Sequence, residues 1–282
     1  MRHFTLLLLS VFTVYQAKAD ILIPLDKYPT GEKRFNLQIN GSHDTSTPWL
    51  STTSFGVDED GQMGNPENWT SEQIDEDNHS VSHRLIMNSI SLRLSYRVWD
   101  NLSLWAGIGT TNFTHEETFR DDDDLSSTIF SKNMVPIYSG GLGYGHAFTD
   151  RFFMSTQPGV RYANSDNMTT EVYYQGIPLR DLSLNRRYLE WAVPVVAGYA
   201  LGNFVPYAGI LYKDYTMKDR YEFTKTYAGE DYTVRIDETF HARHKLYALA
   251  GVNYFLADNI SLGVNGSFGK RQSVQLQFNI SF

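Results

Sequence analysis

The sequence predicts an all-β protein: a transmembrane, antiparallel, up-and-down β-barrel of about ten strands behind an N-terminal signal peptide. Three observations lead there. Residues 272–282 alternate without a fault, Val274, Leu276, Phe278, Ile280 and Phe282 against Ser273, Gln275, Gln277, Asn279 and Ser281. Successive strand residues point to opposite faces, so this strand has one wholly apolar face and one polar, uncharged face. The second observation is that such alternation recurs along the chain in segments of roughly ten residues, the length a tilted strand needs to cross the hydrocarbon layer. The third is the amino terminus.

Arg2 and His3 precede an apolar run from Phe4 to Val14, and Ala17-Lys18-Ala19 is a small-x-small cleavage site before Asp20. That is the anatomy of a secretory signal peptide over 1–19, leaving a single barrel domain over 20–282. The run is too short to cross a bilayer as a helix.

The elements follow in order. Phe35, Leu37 and Ile39 alternate with Asn36, Gln38 and Asn40. Ile90, Leu92, Leu94, Tyr96 and Val98 alternate with Ser91, Arg93, Ser95 and Arg97, and a tight turn at Trp99-Asp100-Asn101 leads into Leu102, Leu104, Ala106 and Ile108. The next strand, over 134–148, sets Tyr138, Leu142 and Tyr144 against Gly141, Gly143 and Gly145. After Thr149-Asp150-Arg151 come Phe152, Met154, Val160 and Tyr162. Leu189, Trp191, Val193, Val195, Ala197 and Tyr199 run into Leu201-Gly202-Asn203, and Phe204, Ala208, Ile210 and Tyr212 return. Leu246 to Tyr254 leads to Ala257-Asp258-Asn259, then Ile260, Leu262, Val264 and Phe268, and Gly269-Lys270-Arg271 turns into the final strand.

Long polar connections near 44–82, 114–132, 164–186 and 217–239 separate these hairpins. Short turns belong on the periplasmic side and long loops on the cell surface, which puts both chain ends in the periplasm. The loops carry most of the acid, at 58–60, 72–77 and 121–124, and lack the spacing of a calcium-binding loop, so no metal site is assigned. Two Tyr-rich stretches, 169–180 and 221–236, read as hairpins above the membrane and supply contact area for a surface ligand.

Composition sets further bounds. The mean hydropathy of −0.36 does not exclude a membrane protein, because half of each barrel strand is polar. Aromatic residues make up 14% of the chain, with 18 Tyr and 17 Phe, which fits interfacial girdles. Cysteine is absent, so disulfides and thiolate metal sites are excluded. A net charge of −8 argues against a nucleic-acid partner. No motif calls for a cofactor.

The apolar terminal strand ending on Phe282 resembles the last strand of bacterial outer-membrane β-barrels. Tyr254-Phe-Leu-Ala-Asp-Asn-Ile-Ser-Leu262 with the final strand, and Gly202-Asn-Phe-Val-Pro-Tyr-Ala-Gly209, resemble the porin-like, OmpA- and opacity-type barrels. The resemblance implies location in a Gram-negative outer membrane, with its lipid and lipopolysaccharide as surroundings. It also implies that Val274, Leu276, Phe278, Ile280 and Phe282 form the signal read by the outer-membrane assembly machinery. It carries no catalytic residues.

The inward face defines the candidate site. Arg34, Arg93, Arg97, Arg161, Glu190 and Lys245 are expected in the lumen among Ser, Asn, Gln and Gly. Barrels of about eight strands fill with side chains, whereas porins need about 16–18 strands, so a charge network plugging the interior is expected. The first functional reading is a structural or surface-recognition barrel with a largely plugged lumen. The second is a narrow solute pore. The third is a rim-sited enzyme, either a protease of the ten-stranded omptin kind or a lipid-modifying enzyme; Glu238 with His241 and His244 is its acid–base candidate.

Overall fold

The computed structural model describes residues 35–58, 67–70, 81–119, 126–131, 134–174, 177–179, 183–227, 230–269 and 272–282. The signal-peptide segment, Arg34 and the acidic clusters at 72–77 and 121–124 lie outside them. The described chain is one antiparallel sheet of sixteen strands. In order these are β1 (Phe35–Ser46), β2 (Pro48–Asp58), β3 (Glu67–Thr70), β4 (Val81–Trp99), β5 (Leu102–Phe119), β6 (Ser126–Ser131), β7 (Val135–Ala147) and β8 (Phe152–Thr156). They continue as β9 (Gly159–Tyr174), β10 (Ile177–Leu179), β11 (Ser183–Tyr199), β12 (Phe204–Tyr227), β13 (Glu230–Ala242), β14 (Leu246–Ala257), β15 (Ile260–Phe268) and β16 (Ser273–Ser281).

The membrane portion is a closed ring of ten. Its order is β1, β4, β5, β7, β8 with β9, β11, β12, β14, β15 and β16, returning to β1. β8 and β9 count as one strand. Pro158 has no amide hydrogen to donate, so pairing lapses there, but the register on β11 is kept: Thr156 faces Val195 and Gly159 faces Ala192. The ring closes where Phe35 and Phe282 exchange backbone hydrogen bonds of 3.0 and 2.9 Å. Closure is required, since an open edge in lipid would leave amides and carbonyls without partners. The turns at 99–101, 149–151, 201–203 and 257–259 lie at this same end. Gly202, with φ 61°, makes one of them in the left-handed region that glycine enters freely.

The outer face of the ring is apolar. Ile39, Ile90, Leu92, Leu94, Ile108, Leu142, Val160, Ile210 and Leu262 are all exposed there. A lower aromatic band holds Phe35, Tyr96, Trp99, Tyr144, Phe204, Tyr254 and Phe282; an upper one holds Tyr138, Tyr162, Trp191 and Phe268. Such a belt with flanking girdles is what a bilayer demands of a barrel. The chain is an outer-membrane β-barrel protein.

Above the upper band β1, β4, β5, β9, β11 and β12 do not stop, whereas β14, β15 and β16 end near it. The segments expected as loops from 44, 114, 164 and 217 onward are largely strand, and β12 alone runs from Phe204 to Tyr227. The alternation there inverts. On β4, Ile90, Leu92 and Leu94 face out, whereas higher up Leu85 and Met87 are buried inside. On β12, Ile210 faces out, but Tyr215 and Met217 are buried. Water replaces lipid outside, so the outer face becomes polar and the inner face supplies an ordinary apolar core. The strand partners change as well. β6 takes over from β7 between β5 and β9, and β13 followed by β2 rises beside β12. The 169–180 and 221–236 stretches contain the β9–β10 and β12–β13 hairpins.

Phe282 stacks on Phe35 with ring centroids 6.0 Å apart, at the ring's closing seam. Deleting Phe282 is expected to lower the amount of folded protein in the outer membrane several-fold, scored by heat-modifiable gel mobility. Asp150→Ala, in an exposed periplasmic turn, should leave that amount unchanged. Equal amounts for the two variants would remove any special role for the terminus.

Candidate functional site

The interior divides by height into a polar ladder, a charge network and an apolar cap. In the lower third, facing strands exchange amide and hydroxyl hydrogen bonds: Gln38 to Gln277 at 3.1 Å, Asn36 to Ser281 at 3.0 Å and Asn279 to Ser261 at 3.1 Å. Inward aromatics fill the remaining space where glycines make room. A Cβ at Gly159 would run into the Trp105 ring, one at Gly198 into Phe153, and one at Gly251 into Tyr207. The lumen glycines are therefore seats for rings on neighbouring strands. Arg93 lies over Trp105, 3.7 Å from the ring centroid.

The middle third holds the charges. Arg161 on β9 sits directly across from Glu190 on β11 and pairs with it at 2.9 Å. Lys213 on β12 reaches the same carboxylate at 3.0 Å, and the Tyr188 hydroxyl donates to it at 2.5 Å. Asp44 on β1 pairs with Lys213 and lies 3.7 Å from Arg161. In the ring order β1 stands diametrically opposite β11, so Asp44 braces the lumen from wall to wall. These groups are all at least nine-tenths buried. A network of this kind is favourable only when its members pair with one another, and here each of the four charges meets two of opposite sign.

The upper third is a core of Leu85, Phe113, Val135, Ile137, Leu184, Met217 and Phe240. Within it Arg186 donates to both Asp219 oxygens at 2.7 and 2.5 Å, and the Tyr221 hydroxyl donates to the same carboxylate at 3.2 Å. Both members of that ion pair are almost completely buried.

The residues expected in the lumen separate accordingly. Arg93, Arg161 and Glu190 lie inside, and Arg161 meets Glu190. Arg97 lies half-buried on the same strand face near the lower lip. Lys245 does not enter. It precedes β14 above the belt, is exposed, and donates to Asp214 on the outer face at 2.8 Å, a hydrogen bond that holds its pKa above the ordinary lysine value. Alternation fails to place it because the chain is not yet strand at that point. Of the terminal-strand residues, Val274, Leu276 and Phe282 are exposed on the outer face, with Phe278 and Ile280 half-buried beside them.

Within the acid–base candidate, Glu238 and His241 stand on opposite faces of β13. Glu238 pairs in register with buried Asp219, whereas His241 pairs with Thr216 on the opposite face and contacts its hydroxyl at 3.2 Å. Among the described residues no three His, Asp or Glu side chains converge as metal ligands. Asp44, Tyr188, Arg186, Lys213 and Asp219 were not expected in the interior. Extending the alternation of Phe204 to Tyr212 by one residue would have placed Lys213 there.

A cavity of about 20 Å³ is lined by Asn40, Arg93, Trp105, Gln157, Arg161 and Glu190, and a second of about 10 Å³ by Asp44, Lys213 and Ser273. The first has room for a water or two and the second for about one.

No protein-family model matches the chain. No curated protein matches it either. Among solved structures it is similar to the translocator domain of the autotransporter NalP from Neisseria meningitidis, with TM-score 0.41 and 7% identity over 90% of each chain. It is also similar to the outer membrane protein OprG from Pseudomonas aeruginosa, with TM-score 0.40 and 12% identity, covering 89% of this chain and 98% of that one. The outer membrane protease OmpT from Escherichia coli gives TM-score 0.42 and 9% identity, covering 87% and 97%. The class, an outer-membrane β-barrel, is defined by the ring, the belt and the girdles of this chain.

Proposed function

We propose that this protein is a structural or surface-recognition barrel of the OmpA and opacity kind, with a lumen that does not conduct solutes. The observation that carries this reading is the wall-to-wall brace of Asp44, Lys213, Glu190 and Arg161 beneath an apolar cap. A hydrated ion would have to break buried ion pairs and then cross a dry core, each step costing several kcal/mol. The extended upper tier supports the recognition half of the reading. It lifts the β9–β10 and β12–β13 hairpins clear of the membrane on a packed stem.

Planar-bilayer recording tests the choice. The refolded protein is expected to give no steady single-channel current in molar salt. A reproducible anion-selective conductance would establish the narrow pore instead.

A further inference from the structure

Just above the upper aromatic band, two cations face each other on adjacent strands. Arg187 on β11 and Lys218 on β12 are direct cross-strand partners, both exposed on the outer face. Among the described residues neither side chain has an ion-pair or hydrogen-bond partner. Like charges placed opposite each other on adjacent strands are destabilising. Cations nearby are compensated: Arg220 by Asp237 at 2.6 Å, Lys245 by Asp214 at 2.8 Å. Arg187 has Asn164 as its partner on the other side, on β9, and the buried side-chain oxygen of that amide has no protein partner. That oxygen is shielded, so the amide nitrogen is the atom of Asn164 that can donate to a ligand.

Height fixes the chemistry. One side-chain period below this row, on the same face, lie Tyr162 and Leu189 with Thr216 on β12, and one further below lie Val160 and Trp191 with Asp214, the partner of Lys245, on β12. That spacing is about 7 Å along the strand and less along the membrane normal, because barrel strands tilt. The row therefore stands at the polar edge of the outer leaflet, with apolar side chains beneath it on β9 and β11. A guanidinium, an ammonium and an amide arranged in this way suit a phosphate, and the surface below suits acyl chains.

We infer that Arg187, Lys218 and Asn164 bind a phosphate of a multi-acyl phosphoglycolipid in the outer leaflet, whose chains lie on Leu189, Tyr162 and Trp191. The bound phosphate neutralises the facing cations and ties the upper tier to the lipid surface.

The test is native mass spectrometry of the whole barrel in detergent. It is titrated with bis-phosphorylated lipid A, with the same lipid after removal of its phosphates, and with inorganic phosphate. The wild type is expected to bind the phosphorylated lipid roughly tenfold or more tightly than the dephosphorylated one, as loss of charge-assisted hydrogen bonds implies. Arg187→Gln/Lys218→Gln should lose that preference. Lys218→Glu supplies Arg187 with an internal partner, so it should lose the preference as well while keeping the heat-modifiable folded band. Absence of a phosphate preference in the wild type would overturn the proposal. So would a preference retained by both variants, or binding of inorganic phosphate as tight as that of the lipid.

Discussion

Glu190→Gln is expected to destabilise the barrel by about 3–5 kcal/mol, the usual result of removing one member of a buried ion pair. The carboxylate accepts from Arg161, Lys213 and Tyr188 together. Asp44 is then the one acid of the network left for both cations. Detergent–urea unfolding followed by gel mobility reads the loss directly. If the interior were a water-filled pore, the cations would be hydrated and the same substitution would hardly change stability. An unchanged midpoint would therefore refute the brace and favour the pore.

Asp219→Asn is expected to be as damaging, again about 3–5 kcal/mol, because it leaves the Arg186 guanidinium charged inside an apolar core. Here a second variant separates charge from shape. Arg186→Met/Asp219→Leu removes both charges, and it is expected to recover most of the loss, since apolar replacements of a whole buried pair are commonly neutral or stabilising. Tyr221 loses its acceptor in that variant, so recovery stops short by about 1 kcal/mol. A double variant as weak as Asp219→Asn would show that packing rather than the stranded charge governs this site.

The two networks were unequally legible in the sequence. Arg93, Arg161 and Glu190 stand on strands whose outer positions are apolar, so alternation alone puts them inside. Asp44 stands on the same strand as Asn36, Gln38 and Asn40, but the apolar markers of β1 end at Ile39; Gly41, His43 and Thr45 follow on the outer face. With nothing apolar to count against, the strand looks like the start of a loop. Arg186 and Asp219 are harder still. They lie above the lipid, where Tyr188 and Met217 carry the apolar signal on the inner face, out of phase with Trp191 and Ile210 below. A reading that holds one phase along the strand breaks at that inversion and reports polar connection. The ring itself was easy because its turns are tight and its lipid face is uninterrupted.

The inversion has a consequence for where the molecule can float. Sinking by one side-chain period would draw Arg187 and Lys218 into hydrocarbon, while rising would lift Leu189 and Tyr162 to the water's edge. Both displacements are opposed, the first by charge desolvation and the second by apolar exposure. The barrel thus carries a waterline where β4, β11 and β12 change phase. It acts as a depth gauge, riding upright in a bilayer whose thickness matches its belt and straining one that is thicker, as mismatch sorts membrane proteins in general.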